Sequence, residues 1–178
     1  ELRRVQLPNS HVLAASDGGS NQCTFEYLRG SYGIAVGRLN IGGLLPGLDC
    51  TPRAAEHFGA NVMLYAAACA MVQICLIIDN LSVGNAIRAV LRFRKVCCKA
   101  AFGMWTATQI VCHNLRHQCH WVPAHKRNLE WLPPGGSAAT AALWRRYNSR
   151  ADDTATRFLD KTEGGIYAAL RNKDVVAD

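Results

Sequence analysis

The chain has 178 residues, about one domain's worth and enough to bury a core without disulfide staples. Hydrophobic residues make up 49% and charged residues 19%, which excludes a disordered tail. The formal net charge is +7, and it is concentrated: residues 81–150 hold 11 basic residues and one acidic residue, between two mildly acidic ends. That pattern suits a surface that docks a polyanion better than it suits solubility charge.

The N-terminal ELRRVQLPNS lacks the apolar stretch of a secretory signal. The chain has eight cysteines, several of them inside apolar runs such as AAACAMVQICLII and KVCCKAA. Reduced, buried thiols of an intracellular protein, cytoplasmic or nuclear, are therefore expected. Residues 11–16 (HVLAAS) read as a strand that runs into a turn at Asp17-Gly18-Gly19. Residues 31–39 suggest a second strand, and 40–45 continue into a third. Thr51 and Pro52 then open a helix as N-cap and first helical residue, and it runs to about Ala70.

Residues 58–78 carry no charge and are long enough to cross a bilayer. Asn61 and Gln73 interrupt the run, and Ala-rich sequence gives way to β-branched ICLII. A buried helix followed by a buried strand, with Asp79 at the strand's end, is the expected reading. A helix starts near Ser82 and is expected to continue through VGNAIRAVLRFRKVCCKA; residues 104–117 read as helical and 118–123 as a strand. Residues 126–146, with WLPPGGS, read as an irregular loop, and Asn148-Ser149 as the cap of a last helix over 150–159. The order predicts an α/β protein with a mixed sheet and helices packed on it. Ligand sites in such sheets gather at the carboxyl ends of strands.

Four acids stand out by location: Asp17, Glu56, Asp79 and Asp152. If the first and fourth strands are neighbours, these carboxylates converge. Clustered carboxylates repel unless a divalent cation neutralises them, and oxygen ligands suit Mg²⁺ or Mn²⁺. Two such ions can activate water and stabilise the leaving oxygen in phosphodiester cleavage. Cys112, His113, His117, Cys119 and His120 fall within nine residues. Their spacing fits no common zinc finger, and alternation along a strand aims successive ligands to opposite faces.

The chain resembles type 1 ribonuclease H, most of all the ribonuclease H domains of retroelement (retrotransposon) polyproteins. Five pieces appear in the family's order: SDGG with GSYGIAVG, RAAEHFGANVMLYAA, IIDNLSVGNAI, WVPAH and NSRADDTATRFL. The resemblance spans about residues 11–160 of a single domain over 1–178. It implies a ribonuclease H-like fold, a mixed five-stranded sheet flanked by helices. It implies a nuclease that uses two Mg²⁺ ions, replaceable by Mn²⁺, to hydrolyse the RNA strand of RNA/DNA hybrids. Asp17, Glu56, Asp79 and Asp152 carry over as metal ligands and His125 as the catalytic histidine of a loop. Asp152 is chosen over Asp153 because it lies two residues after Arg150, as in the family's Asn-x-Arg-x-Asp pattern. The 27 residues from His125 to Asp152 exceed the family's spacing, so about 126–146 reads as an inserted loop.

Arg88, Arg92, Lys95 and Lys99 follow helical spacing on one expected face. The family places a basic helix or protrusion here against the DNA backbone of the hybrid. Gly18, Ser20 and Asn80, beside the acids, are candidates for contacting the RNA's 2′-hydroxyls. Other domains of a parent polyprotein, such as a reverse transcriptase, are the implied partners, with no membrane. The alternative from another class is a non-catalytic module of the same fold that binds nucleic acid or connects domains.

Overall fold

The computed structural model describes residues 11–22, 28–45, 51–94, 102–113, 115–124, 128 and 130–173. The strands are β1 (Val12–Gln22), β2 (Leu28–Val36), β3 (Leu39–Leu44), β4 (Ile74–Ile78) and β5 (Gln118–Trp121). The helices are α1 (Pro52–Cys69), α2 (Leu81–Leu91), α3 (Phe102–Cys112) and α4 (Ala138–Lys173). The strands form one mixed sheet in the order β3-β2-β1-β4-β5. β2 pairs antiparallel with both β1 and β3, while β4 pairs parallel with both β1 and β5. This is the mixed five-stranded sheet flanked by helices that the resemblance implies.

Strand alternation sorts the core into two layers. Val12, Ala14, Ile34, Val36, Leu76 and Ile78 are buried with residues of α1, α2 and α3. Ala15, Ala35 and Ile77, on the intervening positions, are buried with Ala151 of α4. β4 is apolar on both faces because both are covered, as its continuous run predicts. Residues 58–78 are thus the buried helix and strand expected of them. No helix among the described residues is long and apolar enough to cross a membrane. Cys69, Cys75, Cys112 and Cys119 are free thiols; burial pushes Cys75 and Cys112 up to about 11 and Cys119 up to about 12.

Thr51 caps α1 as expected: its Oγ1 accepts from the Ala54 amide at 3.2 Å, with Pro52 at the first helical position. Three other expectations are corrected. Asp17-Gly18-Gly19 is not a turn: β1 continues to Gln22, and these residues pair with Gly33, Tyr32 and Ser31 of β2. The basic helix stops early: α2 ends at Leu91, Arg92 is its C-cap, and Phe93 takes a left-handed φ of 55°. The Arg88–Arg92–Lys95–Lys99 spacing therefore does not run along one helix; Lys95 and Lys99 lie outside the described residues. Finally, α4 starts at Ala138, so residues 138–146 are helix and not loop. Ser137 caps it, with Oγ accepting from the Thr140 amide at 3.2 Å, directly after the Pro133–Gly136 turn.

Candidate active site

Three elements bring three carboxylates together. Ala15 pairs with Ile77 in the parallel β1–β4 register, so Asp17 and Asp79 sit level on adjacent strands. Glu56 comes from α1, which lies close enough to β1 that a Cβ on Gly18 would collide with the Glu56 amide. Only glycine fits at that crossing. One carboxylate oxygen from each of Asp17, Glu56 and Asp79 lies within 4.8 Å of the others.

The fourth acid approaches on α4. A Cβ on Gly33 of β2 would strike the Ala151 carbonyl, so α4 lies almost on the sheet there. Asn148 and Asp152 are one helical turn apart and share the face turned to the acids. The Asn148 Nδ2 donates to Asp79 Oδ2 at 3.1 Å, and the Asp152 charge is felt by Asp17. Asp152 is half-buried and Asp153 is exposed. Asp152 stands beside the three-carboxylate group rather than within it.

The electrostatics follow from crowding and burial. Asp17 is 5% exposed and Glu56 8%. Burial first, then the Asp79 charge, pushes each carboxyl up to about 8. The Gly18 amide, donating to Asp17 Oδ1 at 2.7 Å, opposes this for Asp17. The neighbouring Asn80 side chain opposes it for Glu56. Glu56 Oε2 is buried without a hydrogen-bond partner. Crowded hard oxygen donors, one of them an unsatisfied buried carboxylate oxygen, fit a divalent cation of the Mg²⁺ or Mn²⁺ type.

Two neighbours of Asp79 were not assigned to the site from the sequence. Asn148 is one: expected as the cap of the last helix, it lies inside α4, one turn before Asp152. The other is Trp121, whose Nε1 donates to the Asp79 carbonyl at 2.7 Å. Trp121 packs edge-on against Trp131, and Arg145 donates to the Trp131 and Asn128 carbonyls at 3.0 Å. Arg150 ties α4 to the β2–β3 turn by donating to the Gly37 and Leu39 carbonyls at 2.8 and 3.0 Å. Ser20 lies on β1 opposite Gly30. Arg88 donates to Asn85 Oδ1 at 2.7 Å, and Arg92 is exposed. His125 lies outside the described residues.

No family model and no curated protein matches the sequence. Solved structures do match the fold. The ribonuclease H domain of prototype foamy virus aligns with a TM-score of 0.64 at 15% identity, over 83% of this chain and 93% of that one. The prototype foamy virus protease–reverse transcriptase aligns at 0.61 and 14%, over 86% of this chain; the chain spans only 21% of that protein's length. A ribonuclease H1 isolated from compost by a metagenomic approach aligns at 0.57 and 13%, over 85% of this chain and 97% of that one. At such identities the likeness concerns architecture: the chain has the ribonuclease H-like fold.

Proposed function

We propose that the chain is an endonuclease that hydrolyses the RNA strand of RNA/DNA hybrids with two divalent cations, as part of a retroelement polyprotein. The observation that carries this reading is the convergence of Asp17, Glu56 and Asp79 to within 4.8 Å on this fold. A connecting module has no need to hold three repelling carboxylates together, which sets the non-catalytic reading second.

Asp17, Glu56 and Asp79 would hold the metal, with Asp152 completing the ligand set from α4. When bound, Mg²⁺ supplies a water acidic enough to attack phosphorus at neutral pH and a counter-charge for the departing 3′ oxygen. The chain's own residues prepare the site. Asn148 holds one Asp79 oxygen in place from α4. Trp121 fixes the Asp79 backbone. His125 is assigned to ordering water or releasing product. Gly18 and Ser20, on β1 beside the acids, would face the RNA strand, where 2′-hydroxyl contacts distinguish RNA from DNA. Arg88 and Arg92, with Lys95 and Lys99, would meet backbone phosphates, giving salt-dependent affinity without base specificity. The products would be 5′-phosphate and 3′-hydroxyl ends.

The test is a panel of labelled RNA/DNA hybrid, duplex RNA and duplex DNA, with and without Mg²⁺. Cleavage of the RNA strand of the hybrid alone, only with metal, is expected. Cleavage of duplex DNA, or none in any arm, would overturn the reading.

A further inference from the structure

Asp79 stands just past the end of β4, beyond the last paired residues Ile78 and Trp121. Both of its chain neighbours are tied down. The Ile78 carbonyl accepts from the Val122 amide at 3.0 Å. Asn80 is the N-cap of α2, its Oδ1 accepting from the Ser82 amide at 3.0 Å. The Asp79 carbonyl between them is held by a side chain: Trp121 Nε1 donates to it at 2.7 Å. The indole thus carries the hold of β5 one residue further, onto the candidate metal ligand.

Trp121 is half-buried, and its ring is set by what packs on it. Trp131 meets it edge-on, with ring centroids 6.0 Å apart at 85°. Trp131 in turn is gripped from α4. Arg145 Nη2 donates to the Trp131 and Asn128 carbonyls, each at 3.0 Å, and the guanidinium carbon lies 6.0 Å from the centre of the Trp131 ring, within cation–π range. Trp144 adds a tilted contact to the same ring at 6.3 Å. Arg145, Asn148 and Asp152 follow i, i+3, i+7 spacing on one face of α4. That face reaches Asp79 twice: Asn148 donates to its carboxylate at 3.1 Å, and Arg145 reaches its backbone through two tryptophans.

We propose that Arg145 and Trp131 are positioning residues for the metal site: they hold the Trp121 indole against the Asp79 carbonyl and so fix the backbone from which that carboxylate is aimed. Both lie in residues 126–146, the stretch that exceeds the family's spacing, which thereby gains a task as a brace between α4 and the end of β4. The proposal rests on the reading of Asp79 as a metal ligand.

The test is a double-mutant cycle. Trp121→Phe keeps a ring but removes the N–H, Arg145→Ala removes the grip on Trp131, and the double variant carries both changes. Each is compared with the unaltered protein by hydrogen exchange of the Trp121 indole without metal, by calorimetric Mg²⁺ titration without nucleic acid, and by hybrid cleavage. Arg145→Ala is expected to speed indole exchange, and Trp131→Leu to do the same. Trp121→Phe and Arg145→Ala are each expected to bind Mg²⁺ about 10-fold more weakly, the low end for groups that orient a ligand. The double variant should bind no more weakly than Trp121→Phe alone, because Arg145 acts through the N–H already removed. All should lower kcat with KM for the hybrid unchanged. Arg145→Lys keeps a cation and a donor and should lose less; it replaces Arg145→Ala in the cycle if the alanine variant does not fold. Full Mg²⁺ affinity in Trp121→Phe or Arg145→Ala would reduce the tryptophans to packing, and additive losses in the double variant would separate Arg145 from Trp121. A raised KM with unchanged Mg²⁺ affinity would make these side chains substrate contacts. Any of the three overturns the proposal and, if the unaltered protein binds Mg²⁺ and cleaves hybrid, leaves the nuclease reading standing. If the unaltered protein binds no Mg²⁺, both readings fall together.

Discussion

Asp17 and Asp79 stand level on adjacent parallel strands, each two residues beyond the paired Ala15 and Ile77. A one-residue slip of β4 would turn Asp79 to the opposite face and bury Ile78 in its place. The register is held by the apolar alternation on both faces: Leu76 and Ile78 bury on one side and Ile77 on the other. Core packing therefore forces two like charges together, and a third comes from α1. The folded state without cation pays for that arrangement in electrostatic repulsion.

Asp79→Asn removes the charge that raises both Asp17 and Glu56. The variant should lose hybrid cleavage by more than about 100-fold, since even residues that orient ligands cost 10- to 100-fold. In metal-free buffer it should be more stable, because a repulsive charge has gone. For about 1 kcal/mol of relieved repulsion the gain in Tm is roughly 2–4 °C at this chain length. Calorimetry and a cleavage assay on the same preparation check both. A variant that is inactive and less stable would point to misfolding instead.

Mg²⁺ affinity should rise steeply with pH. Asp17 and Glu56 are pushed up to about 8, so metal must displace protons from them below that pH. The sign for stability is opposite. With folded values above the unfolded ones near 4, these groups favour the fold fully at low pH, and that contribution is lost as pH rises through about 8. The Tm increase on adding Mg²⁺ is thus expected to be larger at pH 8.5 than at pH 6.5. An increase that is the same at both would contradict the raised carboxyls.

Much of this was legible from local signals. Thr51-Pro52 marks the start of α1, and the apolar run ending in Asp79 marks β4. What misled were residues whose local preference is overridden by packing. Asp17-Gly18-Gly19 has turn composition, yet β2 pairs with it, and Gly18 serves the approach of α1. The stretch after Leu91 has helix-forming residues, yet a left-handed Phe93 ends α2. Asn148 has no local cue to its partner, because the bond to Asp79 spans 69 residues of sequence. The four acids emerged from their location and from the motifs that mark them; the bond from Asn148 to Asp79 did not.

Gly33 sets how closely α4 approaches the sheet. Gly33→Ala places a methyl against the Ala151 carbonyl and, at 2.6 Å, the Ala155 amide, both backbone groups that cannot rotate aside. The expected loss is about 3 kcal/mol, the upper end for overpacking. Gly43→Ala is the control, since the atoms nearest its new methyl belong to the Tyr32 side chain, at 3.2 Å, and not to backbone. Denaturant unfolding should show a much smaller loss for Gly43→Ala. Because α4 carries Asp152 and Asn148, Gly33→Ala should also weaken Mg²⁺ binding while Gly43→Ala leaves it intact.

His117 sets an acid limit far from the carboxylates. It is buried, and its Nδ1 accepts the Ile74 amide at 3.2 Å where β4 begins. Only the unprotonated nitrogen can accept, and burial, with a smaller push from His11, lowers the ring to about 4. The sign follows from the unfolded value near 6.5. Above that pH the contribution is fully present; as pH falls toward 4 the unfolded chain takes up protons that the fold refuses, and stability drops. His57, also lowered to about 4, first by burial and then by Arg53, adds to the same acid limb. Full titration of His117 corresponds to about 3 kcal/mol at most. Denaturant unfolding from pH 7 to pH 4 should show this fall, and His117→Gln should flatten it while lowering stability at pH 7. An equally steep fall in His117→Gln would move the acid sensitivity elsewhere in the chain.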